Sequence, residues 1–229
     1  MQQKKYRDKH GLFVAEGPKL IDELLQSGIK LHSFFSTEAI AESPENHYEI
    51  SARDLRKISG LKSPNTALAL FKIPEPQELK INGLSLALDA VRDPGNLGTI
   101  IRLCDWFGIS RLLCSPDTAD CFNPKVVQAT MGSIARVNIH YIDLEDFLSQ
   151  TELPVYGAVM NGSNVYSAPF EQDAILVMGN EANGISEGVL KAVTHSVTIP
   201  RFGGNDTESL NVATATAILL SEFRRATEM

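Results

Sequence analysis

Asn96 and Arg102 stand six residues apart in the stretch LALDAVRDPGNLGTIIRLCDWFG, residues 86–108. The stretch opens with β-prone residues and breaks at Asp93-Pro94-Gly95-Asn96. It then continues with Ile100, Ile101, Cys104 and Phe107 at helical spacing. This pattern predicts a strand, a tight turn and a helix. In α/β sheets ligands bind just there, beyond the carboxyl ends of the strands. At about 1.5 Å rise per residue, an amide and a guanidinium so spaced lie within two helical turns. Plainer roles account for the same two residues: an asparagine that caps a helix and an arginine on a solvated helix face.

Two later stretches add polar groups to similar places. In LVMGNEANGIS, residues 176–186, an apolar run ends in two glycines, Gly179 and Gly184, with Glu181 between them. Glycines there let a backbone approach a ligand closely; a solvent-exposed turn needs them as well. In IPRFGGNDTESLNVATATAILL, residues 199–220, a strand ends at Pro200 and a polar glycine loop follows. Ser209-Leu210-Asn211 then opens a helix rich in Ala and Thr, with Ser209 as its expected cap. Small residues at Ala213, Ala215 and Ala217 suit close helix contact, in a core or in a dimer interface.

These groups must be held by alternating strands and helices. In the first third, strands are expected at residues 11–15, 30–35, 48–50 and 66–71, with a helix from Pro18 to Gly28 and a short one opened by Ser51 and Asp54. Residues 73–82, IPEPQELKIN, carry two prolines and no hydrophobic periodicity, and read as a linker. Beyond it, strands are expected at 111–114, 134–139, 154–160, 174–178 and 195–199. Helices are expected at 123–132, 143–150, 186–193 and 209–225. The fully apolar run at 174–178 suits a strand buried on both faces. Such alternation predicts an α/β fold with a mostly parallel sheet and flanking helices at 83–229, preceded by a small α/β domain at 1–72.

Composition narrows the classes. The chain has 229 residues and a net charge of −7, with three cysteines and five scattered histidines. An odd cysteine count without a Cys-x-x-Cys pair argues against a disulfide framework, and no metal site suggests itself. No run approaches the ~18 apolar residues of a membrane span, and the polar start is not a signal peptide. A cytoplasmic protein without a membrane partner is expected. Charge is uneven: residues 1–72 hold 11 basic against 9 acidic groups, and residues 73–229 hold 10 against 19. Phosphate contacts are therefore expected mainly in the first third, at Lys4, Lys5, Arg7 and Lys9 of a basic tail.

Taken together, the three stretches resemble the SpoU (TrmH-like) family of RNA ribose 2′-O-methyltransferases. The first motif is matched by Asp93-Pro94, Asn96, Gly98, Ile100 and Arg102, and the second by Gly179, Glu181 and Gly184-Ile185. The third is matched by Ile199-Pro200 and Ser209-Leu210-Asn211. Residues 123–139 also look like the segment between the first two motifs, and residues 7–28 are similar to the substrate-binding domain that many members carry. That domain has a fold like a small ribosomal protein. Arg201 stands where members usually have Met, and the loop from Pro200 to Ser209 is about two residues longer than usual.

The resemblance implies S-adenosylmethionine held in a C-terminal trefoil knot, an arrangement otherwise nearly absent from proteins, and a homodimer. It places cofactor contacts at Gly179, Ile199 and Leu210. Catalytic or RNA-contacting roles fall on Asn96, Arg102, Glu181, Ser209 and Asn211. A guanidinium is a poor base, which suits Arg102 to stabilising a developing alkoxide or gripping a phosphate. Asn96, Ser209 and Asn211 would orient ribose and phosphate, and Glu181 would fix Arg102 or a ribose hydroxyl. Large-subunit ribosomal RNA is the implied substrate, with transfer RNA as the alternative.

Two other classes compete. A dinucleotide-dependent oxidoreductase needs Gly-x-Gly-x-x-Gly after the first strand, and Asp93-Pro94-Gly95-Asn96-Leu97-Gly98 lacks that spacing. A non-catalytic RNA-binding protein of the same fold is disfavoured by the presence of both Asn96 and Arg102.

Overall fold

The computed structural model describes residues 1–39, 44, 46–75, 77–203 and 209–227. The chain forms two compact units, Met1–Pro76 with Asp120–Arg136, and Gln77–Ala119 with Val137–Met229.

The elements follow in chain order: α1 (Lys4–His10), β1 (Leu12–Glu16), α2 (Pro18–Gln26), β2 (Leu31–Ser36), β3 (His47–Glu49), α3 (Ala52–Ile58) and β4 (Ala67–Lys72). Then come β5 (Leu84–Leu88), α4 (Pro94–Trp106), β6 (Arg111–Cys114), α5 (Pro124–Thr130), β7 (Asn138–Tyr141) and α6 (Leu144–Gln150). The last are β8 (Val155–Asn164), β9 (Ala174–Met178), α7 (Glu187–Lys191), β10 (His195–Thr198) and α8 (Val212–Thr227).

In the first unit the sheet order is β1-β4-β2-β3, antiparallel except for the β2–β3 pair. Strand residues alternate between faces. Phe13 points to one face, where its ring lies 5.7 Å from Phe71 and 5.0 Å from Phe122 just before α5. Val14 points to the other, where it packs with Leu68 and with Leu55 of α3. Ser51 caps α3, as expected, by accepting from the Asp54 N–H. Buried Glu16 accepts from the Ser59 hydroxyl and, at 2.8 Å, from the Gly60 N–H.

Two expectations change here. Residues 4–10 form a helix, not a tail, and Gly11 closes it in the left-handed region at φ +62°. Arg7, expected on RNA, is 2 % exposed. Its guanidinium donates to the Asp120 carboxylate and to the carbonyls of Met1 and Gln2, and so is turned away from solvent. Lys4, Lys5 and Lys9 do lie exposed. The pairing of Arg7 with Asp120 and of Phe13 with Phe122 also gathers residues 120–136 into the first unit, although they fall inside the expected second domain.

The second unit holds a sheet of order β10-β8-β9-β5-β6-β7, every neighbouring pair parallel. Both β5 and β9 are buried along their whole length, which is why their sequences are continuously apolar. On one face Ala87, Ile175 and Val177 pack with Leu144 and Leu148 of α6 and Val189 of α7. At α8, Phe223 stacks on Phe170 at 3.8 Å and meets the Tyr156 ring edge-on at 5.1 Å. Leu79 and Ile81 of the expected linker pack against the α6–α7 side. Gly162 allows β8 to touch β10: a Cβ there would come 2.6 Å from the Val197 backbone.

The strand expected at 134–139 is not formed as such. Met131 and Gly132 adopt positive φ, Ser133–Ala135 makes one 3₁₀ turn, and extended chain begins at Asn138. Buried Ile134 and Val137 are three residues apart, the spacing of a helical turn instead of a strand. The last helix begins at Val212, three residues later than expected, for a reason that belongs to the site below.

Arg7 and Asp120 make a largely desolvated pair, with side chains 3 % and 18 % exposed. Removing one partner of such a pair leaves the other charge buried. We expect Arg7→Ala to lower the unfolding free energy by about 3–5 kcal/mol. Urea unfolding checks this, and a change below about 1 kcal/mol, typical of exposed pairs, would contradict it.

Candidate active site

In the second unit all strands run the same way, so their carboxyl ends share one edge. The chain leaves β5 toward β6 and β7 on one side, and places β9 and β8 on the other. The loops after β5 and β9 therefore part at a topological switch point, where such sheets open a crevice.

The helix α4 starts at this edge. Asp93, and not Asn96, is its cap: the Asp93 carboxylate accepts the Asn96 N–H at 2.8 Å, and Pro94 fills the first helical position. The Asn96 side chain is thereby left for other partners. Its amide nitrogen donates to Glu181 Oε1 at 3.0 Å, and its amide oxygen accepts from Asn211 Nδ2 at 2.9 Å. Three segments far apart in sequence thus meet at one carboxamide.

Asn211 explains the late start of α8. Its side-chain oxygen accepts the N–H groups of Ala213 and Thr214 at 2.9 and 3.2 Å, so Asn211 caps the helix in place of Ser209. Ser209 and Leu210 stay outside the helix, both exposed.

The loop after β9 is closed on itself. The Asn180 and Gly184 backbones exchange two hydrogen bonds of 2.9 Å, and the Asn180 side-chain oxygen accepts from Ala182 and Asn183. A Cβ on Gly179 would fall inside the Gly184 carbonyl and the Ile185 nitrogen. The glycine is therefore required first by the loop's own fold, a nearer reason than close approach of a ligand. Asp89, buried after β5, accepts the Ser186 N–H at 2.7 Å and holds the far end of the loop.

Of the expected site residues, Asn96, Glu181 and Asn211 are brought into one bonded set. Arg102 lies exposed on α4, and no hydrogen bond or ion pair of its guanidinium is found among the described residues. Glu181 takes Asn96 in this structure, not Arg102. Gly179 and Leu210 are each within two residues of that set, and Ile199 follows directly on β10. Of the expected glycine pair, Gly203 is exposed, and Gly204 lies outside the described residues, as does most of the long loop at 201–208. Two residues of the edge carry no expectation from sequence, Asp89 and Asn180. Both are small polar residues within two positions of the end of an apolar strand, and that position is the signal that marks them.

Comparison with known proteins adds the family. Residues 83–221 match the model of the SpoU rRNA Methylase family, and residues 1–69 match the MRM3-like substrate binding domain. The chain is 31% identical to the 23S rRNA (guanosine(2553)-2′-O)-methyltransferase of Bacillus subtilis, over 96% of this chain and 92% of that one. A solved TrmH-family protein from Porphyromonas gingivalis is 40% identical, covers 98% of this chain and 94% of its own, and superposes with a TM-score of 0.88. An AdoMet-bound rRNA methyltransferase from Sinorhizobium meliloti is 30% identical, with a TM-score of 0.85 over 98% of this chain and 91% of its own. The strand-end loops, the Asn211–Asn96–Glu181 set and these matches together make the chain a member of the SpoU rRNA methylase family.

Proposed function

We propose that the protein transfers a methyl group from S-adenosylmethionine to a ribose 2′-hydroxyl of large-subunit ribosomal RNA. The carrying observation is the Asn211–Asn96–Glu181 set at the carboxyl edge of the parallel sheet, in a chain similar over nearly its whole length to an enzyme named for that reaction.

The residues present suit the cofactor. Leu210 is 49 % exposed beside the bonded set, an apolar side chain left uncovered among polar loops, as an adenine contact requires. Gly179, Ile199 and Leu210 would hold the cofactor, mostly through backbone groups. S-adenosylmethionine, when bound, supplies an electrophilic methyl group.

The chain's own residues prepare the nucleophile. Asn96 uses one amide hydrogen and one oxygen lone pair within the set, which leaves one of each for a ribose or phosphate group. Glu181 keeps its second carboxylate oxygen for a ribose hydroxyl. Ser209, exposed on the same edge segment as Asn211, orients the phosphate. Arg102, with its forked guanidinium, stabilises the alkoxide that develops, or the adjacent phosphate. The hydroxyl proton passes to a phosphate oxygen or to water.

The first unit supplies RNA affinity through Lys4, Lys5 and Lys9, and its fold is that of a ribosomal-protein-like binding domain. The protein works as a homodimer with a C-terminal trefoil knot. The apolar residues of α8 no longer argue for the dimer, since Val212, Leu219, Leu220 and Phe223 are buried within the chain. The support moves to α4, which leaves Thr99, Arg102 and an 83 % exposed Trp106 on one face. The knot is supported by the placement of Asn211 beside Asn96, although β10, the strand before it, lies at the far edge of the sheet. All three cysteines are buried, and burial pushes the Cys104 thiol well above its ordinary range, as suits a reducing cytoplasm.

Three outcomes check this reading. Arg102→Lys keeps the charge but loses the fork, and Arg102→Ala loses both. Single-turnover methylation should fall ~10²–10³-fold in the alanine variant and remain low in the lysine variant, with cofactor affinity retained. Near-parental turnover by Arg102→Lys would show that the residue is a base instead. Replacing Lys4, Lys5 and Lys9 by Glu should weaken RNA binding and flatten its salt dependence by about two units of log–log slope, with cofactor affinity unchanged. An unaltered slope would remove the lysines from the interface. This test is preferred to deleting residues 1–72, which would strip α5 of the β1 surface it packs on. Light scattering at micromolar concentration should give a dimer that Trp106→Glu weakens. A monomeric parent protein would refute the dimer, and an experimental structure with an unthreaded segment 199–211 would refute the knot.

A further inference from the structure

Asn180 lies between Gly179 and Glu181 and has no part in the chemistry above. Its side chain nonetheless reaches out of the loop that carries it. The amide nitrogen donates to the Ala90 carbonyl at 2.7 Å, across to the turn that follows β5. We propose that Asn180 is a positioning residue, whose bond to the Ala90 carbonyl sets Glu181 against Asn96 for the reaction. The proposal rests on the reading that Glu181 and Asn96 act on the RNA.

The two ends of this amide do separate things. The oxygen accepts from the N–H groups of Ala182 and Asn183 at 2.9 and 3.1 Å, and so closes the loop locally. The backbone bridge between Asn180 and Gly184 closes it a second time. None of these bonds fixes the loop relative to α4. Residues 181–184 are exposed, so packing does not fix it either. Asp89 accepts from Ser186, at the far end of the loop. The Asp89 N–H donates to the Met178 carbonyl at 2.9 Å and holds the end of β9; beyond that strand end, the Asn180 amide nitrogen ties the loop itself to the β5–α4 connection near Glu181.

The acceptor is itself held. Ala90 is a non-glycine residue at φ +57°, a conformation that persists only when its surroundings impose it. Its N–H donates to Ser115 Oγ at 2.8 Å, and Ser115 Oγ in turn lies 3.1 Å from Thr118 Oγ1. Thr118 donates to the Leu88 carbonyl at the end of β5. The next residue, Val91, is buried and its carbonyl accepts the Ala119 N–H at 2.9 Å. Ala90 is therefore an anchored point of the β5–α4 turn, a few residues before Asn96. The Asn180–Ala90 bond and the Asn96–Glu181 bond span the same two segments, and the first fixes the separation that the second needs.

Asn180→Asp separates the two functions. A carboxylate keeps the acceptor for Ala182 and Asn183 but has no donor for the Ala90 carbonyl, which it repels. Protonation of the introduced carboxyl restores a donor. On the two segments the carboxylates Asp89, Asp93 and Glu181 favour the protonated form, and the one cation, Arg92, which opposes it, lies 3.7 Å from the Asp117 carboxylate.

The test is single-turnover methyl transfer to in vitro transcribed large-subunit ribosomal RNA, with hydrogen exchange of the Ala182 and Asn183 amides measured on the same protein. The expected result is a maximal rate about tenfold below the parent's near neutral pH, the cost of one lost hydrogen bond. Half-saturating RNA concentration should stay within about twofold. The rate relative to the parent should recover as the pH falls from about 8 to about 5.5. Exchange protection of both amides should persist. A parental rate throughout overturns the proposal, as does a loss that ignores pH. Lost amide protection or failure to fold also overturns it, because the residue then supports the loop and not its placement. Glu181→Gln in the same assay separates the two levels. If that variant transfers methyl at the parental rate, the underlying reading fails, and the proposal with it.

Discussion

One carboxamide constrains the candidate active-site edge of this protein. Asn96 accepts from Asn211 and donates to Glu181, and so joins the start of α4, the loop after β9 and the start of α8. Each segment comes to the same edge because every strand of the second sheet runs in one direction. The Asn96 amide is free for this work because Asp93 caps α4. Asn211 is held in place because its other atom caps α8. Capping and site assembly are thus the same set of hydrogen bonds, and disturbing either disturbs both.

The polar edge stands on an apolar base. Leu86, Leu88, Leu176 and Val177 are fully or almost fully buried, as are Leu97, Ile100 and Ile101 of α4. These residues fix where β5, β9 and α4 lie, and the loops inherit that placement through short-range bonds at the strand ends. Asp89 and Asn180 transmit it, each within two residues of the end of a buried strand. The site residues themselves are largely exposed, which suits groups that must meet a large RNA. In the first unit the arrangement differs: a strongly buried cation, Arg7, serves the fold through Asp120, while the neighbouring lysines remain open to solvent.

Much of the architecture was legible from local pattern. The all-apolar run at 174–178, the turn residues at 93–96 and the alternation of strands with helices lead to a parallel α/β sheet, which is what forms. The motifs of the SpoU family led to Asn96, Glu181 and Asn211, which the fold brings together. What local pattern missed depends on partners far away in sequence. Arg7 reads as a phosphate contact until Asp120, 113 residues on, is placed beside it. Ser209 reads as the cap of α8 because nothing nearby shows that Asn211 is held from Asn96, 115 residues away. The strand expected at 134–139 fails for a local reason: Ile134 and Val137 have helical spacing, and two residues of positive φ precede them. Gly179 reads from sequence as a cofactor contact, and its nearest constraint in the fold is the backbone of Gly184.

The central claim is that Asn96 and Glu181 act as one unit. A double-mutant cycle on the methyl-transfer rate tests it most directly, using Asn96→Ala, Glu181→Ala and the pair, each of which removes the shared bond. If the two side chains work through their shared hydrogen bond, the double variant should be little slower than the more damaged single variant, with a coupling of about 1–3 kcal/mol. Additive losses, with coupling below about 0.5 kcal/mol, would mean that the two residues act independently, and would contradict the account.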